Sequence, residues 1–217
     1  MSQLASVCED YPVKLHSLSS KSQLDDYSKI AVESDRLRHL CAHLHQEMMG
    51  ELAWPGKNNL ETGIDVRTLG LKEKDLNVLP ILARKDVMAE LADWKAGKAL
   101  GEYNKERLST ASSLVVMTIK GQSEADYFVG GKALQQFWLT AEQNGLVIQP
   151  ISPIFIYANN KEEMEQLMKG EYMEEVKQMQ EQFNALLNIQ EGESPVLVLR
   201  VAYAKQPEFR SIRRLKG

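Results

Sequence analysis

Histidine and glutamate side chains recur at regular intervals in one predicted helix. His39, His43 and Glu47 follow one another four residues apart. In a continuous helix this spacing places all three side chains along one face, and imidazole with carboxylate suits zinc or iron. The alternative is a polar helix face of solvated or hydrogen-bonded groups. Cys41 and His45 lie nearby in the sequence. We favour the polar face and predict no metal site, because the sequence lacks H-E-x-x-H and the one histidine outside this segment, His16, lies far from it.

A second cluster with chemical potential closes the chain, in the segment FRSIRRLKG. Its cations are Arg210, Arg213, Arg214 and Lys216. Guanidinium groups bind phosphate through paired hydrogen bonds, so this cluster could hold a phosphate group. The alternative is a solvated basic tail, and the charges alone favour that interpretation.

The stretch Gly130–Pro153 has the pattern of a buried helix that leads into an irregular loop. Asn144 and Gly145 are predicted to end the helix, because they readily adopt the left-handed backbone conformation of a helix C-terminus. Pro150 and Pro153 interrupt the apolar segment that follows. The apolar positions spaced i, i+3, i+4 and i+7 are Leu134, Phe137, Trp138 and Ala141.

Other elements must position these groups. Residues 113–120 contain the continuous apolar run Leu114–Met117, and residues 196–202 have the largely apolar sequence VLVLRVA. Both ranges are predicted to be buried strands, and a short strand is predicted over 13–18. Ser22 and Ser34 are predicted to cap two successive helices near the start of the chain. Residues 159–187 predict a helix that breaks at Gly170.

Composition limits the function classes. The 217 residues suit one domain, or one domain with an appendage. A net charge of −4 gives no general attraction to nucleic acid or anionic lipid, and the chain has no apolar run long enough to span a membrane. Only two cysteines are present, and the first residues lack the pattern of a signal peptide. We therefore predict a cytoplasmic protein that binds neither nucleic acid nor membrane.

The helix and loop of Gly130–Pro153 resemble a segment of the FMN-dependent nitroreductase-like superfamily. There, a helix of pattern G-x-A-x-Q-x-x-x-L-x-A-x-x-x-G-L runs under the flavin, and a P-I loop passes along the isoalloxazine edge. The matching residues are Gly131, Ala133, Gln135, Leu139, Ala141, Gly145, Leu146, Pro150 and Ile151. The resemblance implies that Pro150, Ile151 and Ser152 border a bound FMN.

The resemblance extends to the end of the chain and changes the interpretation of the basic tail. In the superfamily, a last core strand of type V-L-x-x-G-Y precedes an arginine or lysine that binds the FMN phosphate. The similar segment here is Val198–Tyr203, with Ala202 where glycine is usual. The resemblance therefore implies Arg213 and Arg214 as phosphate ligands, with Arg210 in reserve.

Scattered residues, among them Gly63-Ile64, resemble the fused, two-copy branch of this superfamily. Three features depart from the pattern: R-x-S-x-R-x-F is missing before residue 100, S-x-x-N-x-Q-P-W is missing, and Ser152-Pro153 replaces the E-G pair after P-I. We therefore expect a C-terminal portion of a longer protein. Residues 1–217 would form one nitroreductase-like domain, with a helical portion over 1–110 and the core helix and strands over 111–217.

The resemblance implies an α+β fold whose central mixed or antiparallel sheet is wrapped by helices. It also implies a homodimeric FMN-dependent oxidoreductase, in which a nicotinamide (NADH or NADPH) reduces the flavin and a nitro, quinone or similar acceptor takes the electrons. The alternative is a degenerate, flavin-free domain that acts as a scaffold or dimerisation unit. A hydrolase or metalloenzyme that uses the histidine cluster is a third hypothesis.

Overall fold

The computed structural model of the chain describes residues 2–57, 62–158, 160–168, 170, 172–205 and 209–210. In chain order, the α-helices are α1 (Ser2–Ser6), α2 (Lys21–Leu40), α3 (Ala42–Gly50), α4 (Glu73–Leu82), α5 (Lys85–Asp93), α6 (Glu102–Ser109), α7 (Glu124–Gln143), α8 (Lys161–Met168) and α9 (Met173–Leu187). The strands are β1 (Val13–Leu18), β2 (Leu52–Ala53), β3 (Ile64–Asp65), β4 (Ser113–Lys120), β5 (Val147–Pro150) and β6 (Glu193–Ala202). Short 3-10 helices span Val66–Leu69, Lys98–Leu100 and Ile154–Tyr157.

The chain divides into two compact units, Met1–Leu37 with Lys98–Ala204 and Arg38–Gly97 with Lys205–Gly217. The first unit contains the sheet of β1, β4, β6 and β5, and the second contains α3, α4, α5 and the pair β2–β3. The single domain over 1–217, and its origin in a longer protein, stay predictions.

The sheet of the first unit has the strand order β1-β4-β6-β5, and each of its neighbouring pairs is antiparallel. The predicted strand at 113–120 is confirmed as β4, and only its last residue, Lys120, is exposed. Strand β6 begins three residues before the predicted Val196, and its register shifts opposite Met117 and Thr118. The predicted α+β class, with helices around a central sheet, is confirmed.

Helix α7 covers one face of this sheet. The Ser123 hydroxyl accepts a hydrogen bond from the Asp126 N–H, and the Asp126 carboxylate accepts one from the Ser123 N–H. This capping box starts the helix six residues before Gly130, while Gly145, with φ of 70°, follows its end as predicted. The apolar residues buried together between α7 and the sheet are Ala133, Phe137, Ala141, Val115, Met117, Leu199 and Val201.

Helices α2 and α9 meet on the opposite face. Leu15 packs into the α7 cluster, so the next residue of β1, His16, points away from α7. The His16 ring nitrogen Nδ1 donates to the Leu187 carbonyl at the end of α9, over 3.0 Å. Nearby, the fully buried rings of Tyr27 and Phe183 have centroids 6.2 Å apart, which joins α2 to α9.

Two helices follow one another near the start of the chain, but the break between them does not lie at Ser34, so the predicted cap at Ser34 is wrong. Ser34 lies inside α2, and its hydroxyl accepts a hydrogen bond from the Ile154 N–H instead of capping a helix. The actual break comes at Cys41, whose backbone is extended (φ −71°, ψ 110°), before α3 begins. A tertiary partner for Ser34 thus replaces the local one that the pattern predicted.

The second unit is mainly helical. Strands β2 and β3 form a parallel pair, with Leu52 opposite Ile64 and Ala53 opposite Asp65. The buried Asp65 carboxylate caps the following 3-10 helix by accepting the Arg67 N–H over 3.0 Å. Helix α4 continues through Pro80 to Leu82, because a proline so near the helix end removes only one hydrogen bond. No helix in the described ranges is long and apolar enough to cross a bilayer.

Candidate functional site

The loop Pro150–Pro153 leaves the sheet at the end of β5 but remains bonded to β6. The Ile151 N–H donates to the Val198 carbonyl over 2.9 Å, and the Val198 N–H donates to the Ser152 hydroxyl over 3.0 Å. The first of these bonds joins the main chains of the loop and β6 just beyond the last paired residue, Pro150, and the second is made by a side chain. The loop therefore follows a fixed path, with Ile151 buried and Pro150 exposed.

Two buried side chains of α2 hold the same loop from the other side. The Tyr27 hydroxyl donates to the Ile151 carbonyl over 2.5 Å, and the Ser34 hydroxyl accepts the Ile154 N–H over 2.8 Å. Tyr27 and Ser34 are seven residues apart, about two helical turns, so they project from one face of α2. Burial raises the pKa of Tyr27 well above its usual range, and the charges of Asp35 and Tyr157 add to this, which keeps the phenol protonated and able to donate.

One main-chain donor of the loop remains for a ligand. Pro150 and Pro153 have no N–H, and the Ile151 N–H is bonded to Val198. Within the part of the chain that the structure describes, the N–H of half-buried Ser152 has no acceptor. A fixed loop thus presents a single main-chain donor beside the exposed Pro150 ring, as a flat heterocycle with acceptor atoms on its edge would require.

Arg200 lies beside this loop on β6, directly opposite Gln149 of β5. Its guanidinium donates to the side-chain oxygen of Gln149 over 3.0 Å and to the Thr110 hydroxyl over 2.6 Å. Both acceptors are neutral, and Arg200 pairs with no carboxylate among the described residues. Its Nε atom is buried without a partner in that part of the chain, and desolvation lowers the pKa of the Arg200 side chain.

A second arginine, Arg107 of α6, is close enough to Arg200 for the charge of Arg200 to act on Arg107. Its guanidinium carbon lies 3.8 Å from the centroid of the Tyr103 ring, and its Nη2 donates to the Tyr103 hydroxyl. Burial lowers the pKa of Arg107, the positive charge of Arg200 lowers it further, and Asp35 opposes the shift. Asp35 in turn accepts a hydrogen bond from the Asn104 amide. The charges of Arg200 and Asp35 therefore act on the pKa of Arg107 in opposite directions.

The arginines predicted to bind phosphate are only partly described. Arg213 and Arg214 lie outside the described residues. Arg210 is described and belongs to the second unit, where the neighbouring Phe209 ring centroid lies 5.3 Å from the Arg67 guanidinium carbon. The phosphate contacts of these three arginines stay predictions, as do the flavin contacts of Pro150, Ile151 and Ser152.

The histidine cluster does not form the single face that its spacing predicted. The break at Cys41 places His39 at the end of α2 and His43 in α3, so their four-residue spacing no longer describes one helix. His45 instead lies near His39, with ring centroids 6.1 Å apart, and its Nε2 donates to the Leu82 carbonyl over 2.8 Å. Among the described residues, no group of three or more possible ligands could hold a metal ion.

Sequence reasoning missed the side chains that fix the loop and the arginine pair beside it. Tyr27 and Ser34 contact the loop across more than a hundred residues of chain, and no local pattern marks such contacts. Arg200 could have been singled out from the sequence, since it is the charged residue inside the otherwise apolar segment VLVLRVA. A cation in a central strand needs a polar partner or a ligand, which is reason to examine such a position.

No family model matches the sequence. The chain is 38% identical over 203 residues to the curated protein named "Uncharacterized protein MT1398" of Mycobacterium tuberculosis (strain CDC 1551 / Oshkosh). This match covers 94% of the present chain and 28% of that protein. The chain thus spans little more than a quarter of the relative's length, so the activity of a whole protein of that size is a matter for proposal.

Solved structures provide a second comparison. Iodotyrosine deiodinase bound to FMN and 3-iodo-L-tyrosine has a TM-score of 0.48 and 11% identity, with 95% of this chain and 74% of that chain covered. An FMN-dependent nitroreductase from Clostridium difficile R20291 has a TM-score of 0.48 and 11% identity, with 100% and 84% covered. Scores below 0.5 support no correspondence between individual residues. The structural neighbours are nitroreductase-like FMN proteins, the superfamily that the motifs of Gly130–Ile151 resemble.

Proposed function

We propose that this chain binds FMN at the Pro150–Pro153 loop and takes part in a flavin-dependent oxidoreductase reaction. The observation that carries the proposal is the Ser152 N–H, an available donor in a loop fixed from both sides. The motifs shared with nitroreductase-like proteins lie in the same segment. We further propose a cytoplasmic homodimer as the working form.

The residues of the loop would bind and orient the flavin. The Ser152 N–H would donate to an acceptor on the ring edge, and the exposed Pro150 ring would offer apolar surface without a competing N–H. When bound, FMN supplies two-electron chemistry: it accepts a hydride from NADH or NADPH and passes the electrons to a nitro, quinone or similar acceptor. Arg213 and Arg214, with Arg210 in reserve, would bind the phosphate.

The fixed loop suits this role because flavin chemistry depends on placement more than on a side-chain nucleophile. Tyr27 and Ser34 hold the loop before any ligand arrives, so little conformational entropy would be lost on binding. The protein's contribution would be one directed hydrogen bond and a dry apolar contact at the ring edge.

A pair of variants at one position tests the proposal. Ser152→Pro removes the N–H and the hydroxyl, whereas Ser152→Ala removes only the hydroxyl that accepts from Val198. The wild type should show a flavin absorbance band at about 450 nm after incubation with FMN. Ser152→Ala should retain FMN, and Ser152→Pro should bind it at least about tenfold more weakly, the value of about one lost hydrogen bond.

Purified protein that is colourless after incubation with excess FMN and removal of the unbound FMN contradicts the proposal. Equal FMN affinity in Ser152→Pro and Ser152→Ala would refute the role of the N–H. Oxidation of NADH or NADPH by the FMN-loaded protein, with a nitroaromatic or a quinone as acceptor, then tests the oxidoreductase reaction itself.

A scaffold or dimerisation unit is the second candidate function, and one observation favours it. Phe128 and Leu139 are exposed on α7, to 72% and 49%. They are eleven residues apart, which brings them to within about 20° of the same side of the helix. If α7 joins two copies through this side, Phe128→Ser with Leu139→Ser should convert a dimer to a monomer in light scattering. A dimer that never binds FMN would favour this candidate over the first.

A further inference from the structure

We propose that a cavity beside the start of β6 binds a small hydroxylated amine, a molecule with one ammonium group and several hydroxyl groups. The cavity has a volume of about 300 Å³ and is lined by residues of α7, α9, β6 and the turn between α9 and β6. None of its lining residues belongs to the Pro150–Pro153 loop. The proposal is therefore independent of the proposed flavin function.

The hydroxyl of Ser194 is the observation that points to a ligand. Ser194 lines the cavity and is 3% exposed, and its Oγ is buried without a hydrogen-bond partner of normal geometry in the described part of the chain. Burial raises the pKa of Tyr127, and the Ser194 hydroxyl opposes this shift, so Tyr127 lies near Ser194 at the same wall. A buried hydroxyl without a full hydrogen bond costs stability, and a polar ligand in the cavity would recover that loss.

Amide side chains give the cavity further donors and acceptors. Gln180 and Asn184 are four residues apart on α9, so they project from the same side of the helix, and both are half-buried. Gln122, just before α7, provides a third amide. Within the described residues, none of these three amide side chains has a hydrogen-bond partner. Because an amide both donates and accepts, it suits a ligand hydroxyl, which does the same.

The ionised side chains that line the cavity are carboxylates, Glu191 and Glu193, and among the described residues no lysine, arginine or histidine lines it. Glu193 already has partners, since its Oε1 accepts from Lys14 over 2.9 Å and its Oε2 accepts from the Thr118 hydroxyl over 3.3 Å. Glu191 is exposed and has no ion-pair partner in the same part of the chain. The cavity therefore favours a cationic ligand over a neutral or an anionic one.

The wall that contains Glu191 is fixed before any ligand binds. The Gly121 N–H donates to the Gly192 carbonyl over 3.0 Å, and the Glu193 N–H donates to the Gln190 carbonyl over 3.0 Å. These bonds hold the turn between α9 and β6 in place, so little conformational entropy would be lost on binding. The volume lies at the lower end of the range for ligand pockets, which suits a molecule the size of a monosaccharide.

The test compares three monosaccharides that share a ring but differ in charge: glucosamine as the cation, glucose as the neutral molecule and glucuronate as the anion. Each is titrated at constant ionic strength, at a pH that keeps glucosamine protonated, and binding is followed by the amide chemical shifts of the protein. Glucosamine should bind about threefold tighter than glucose, the value of one exposed ion pair, and glucuronate should bind most weakly. Glucosamine that does not saturate the protein, or that binds no tighter than glucuronate, overturns the proposal.

Three variants connect the binding to named side chains. Glu191→Gln should lower the affinity for glucosamine to that for glucose. Ser194→Ala should weaken the binding of both sugars by about threefold to tenfold, as expected for one lost hydrogen bond. Glu181→Gln is the matched control, because Glu181 is an exposed carboxylate of α9 that does not line the cavity, and it should bind glucosamine as the wild type does.

Thermal denaturation without sugar checks the folding of each variant. Ser194→Ala should melt no lower than the wild type, because its hydroxyl has no full hydrogen bond to lose; if it does melt lower, the exposed Glu191 decides the test. Equal glucosamine affinity in Glu191→Gln and the wild type overturns the proposal.

FMN binding, measured on the same proteins, separates this proposal from the flavin function. Glucosamine binding that depends on Glu191 supports the cavity as a site even in a protein that binds no FMN. A protein that binds FMN but not glucosamine would support the flavin function and overturn the present proposal.

Discussion

The Tyr27 hydroxyl donates a hydrogen bond to the Ile151 carbonyl and thereby joins residues 124 positions apart. Tyr27 is fully buried, and its ring packs against Phe183 on the same side of the sheet. The geometry of the loop around Ser152 therefore depends on a helix near the start of the chain. Any change that releases Tyr27 should alter both the stability of the first unit and the position of the loop.

Tyr27→Phe should destabilise the protein by about 1–2 kcal/mol. The variant retains the ring and its packing but leaves the Ile151 carbonyl without this donor in a buried place. Urea denaturation followed by circular dichroism measures the free energy of unfolding. Tyr203→Phe is the control, because Tyr203 is 76% exposed, and it should unfold as the wild type does. A Tyr27→Phe curve that overlays the wild type would rule out this role for the hydroxyl.

Ser34→Ala should cost about 1–3 kcal/mol, because the buried Ile154 N–H loses its acceptor. Alanine also favours a helix by a few tenths of a kcal/mol, which partly hides the loss. Ser22→Ala in the same helix corrects for this gain, since Ser22 is exposed. The difference in unfolding free energy between the two variants isolates the tertiary bond, and a difference near zero would show that the bond contributes nothing.

Local signals predicted the regular elements well. The continuous apolar run gave the bounds of β4, and the predicted break at Gly170 separates α8 from α9. Both features depend on neighbouring residues, namely the apolar pattern of a buried strand and the left-handed backbone that Gly170 adopts (φ 79°). The unbroken course of α2 through Ser34 was missed, because the partner of Ser34 is 120 residues away.

The candidate site was predictable only in part. The family resemblance pointed to Pro150, Ile151 and Ser152, and the structure shows that the main-chain groups of Ile151 are already bonded within the protein. Which loop donor remains available depends on bonds from β6 and α2, and these appear only when the chain is folded. Arg107 and Arg200 likewise lie on different elements, α6 and β6, and no spacing in the sequence connects the two residues.

His39 should make stability depend on pH. Burial, with the nearby charges of His45 and Arg38, lowers the pKa of His39 to about 4. An unfolded chain binds the proton near the ordinary pKa of 6.5, so the unfolded state takes up more protons between these values. The stabilisation is complete above pH 6.5 and is lost as the pH falls toward 4.

Between pH 7 and pH 5, His39 should lower the free energy of unfolding by about 2 kcal/mol. Urea denaturation at these two pH values measures it, and His39→Gln should reduce the difference by about that amount. Burial lowers the pKa of His45 as well, so His45 also makes the protein less stable at low pH. Part of the pH dependence of stability should therefore persist in His39→Gln. An unchanged difference in His39→Gln would contradict the assignment.

Gly101 lies against the main chain of α2 at Val32. A Cβ atom at this position would lie 2.0 Å from the Val32 carbonyl oxygen, a main-chain atom that cannot rotate away. The φ of Gly101 is −95°, which other residues adopt freely, so the constraint is steric. Gly101→Ala should therefore destabilise the protein by about 2 kcal/mol or more, since the backbone itself must move.

Gly131→Ala gives the matched comparison, because no atom lies within 4 Å of a Cβ at that position in the middle of α7. Alanine there should stabilise the protein by about 0.5–1 kcal/mol through helix propensity. The same chemical change should thus have opposite signs at two glycines of the first unit. Thermal denaturation of both variants measures the two effects. A Gly101→Ala protein as stable as Gly131→Ala would mean that the chain near Gly101 does not approach Val32 as closely as described.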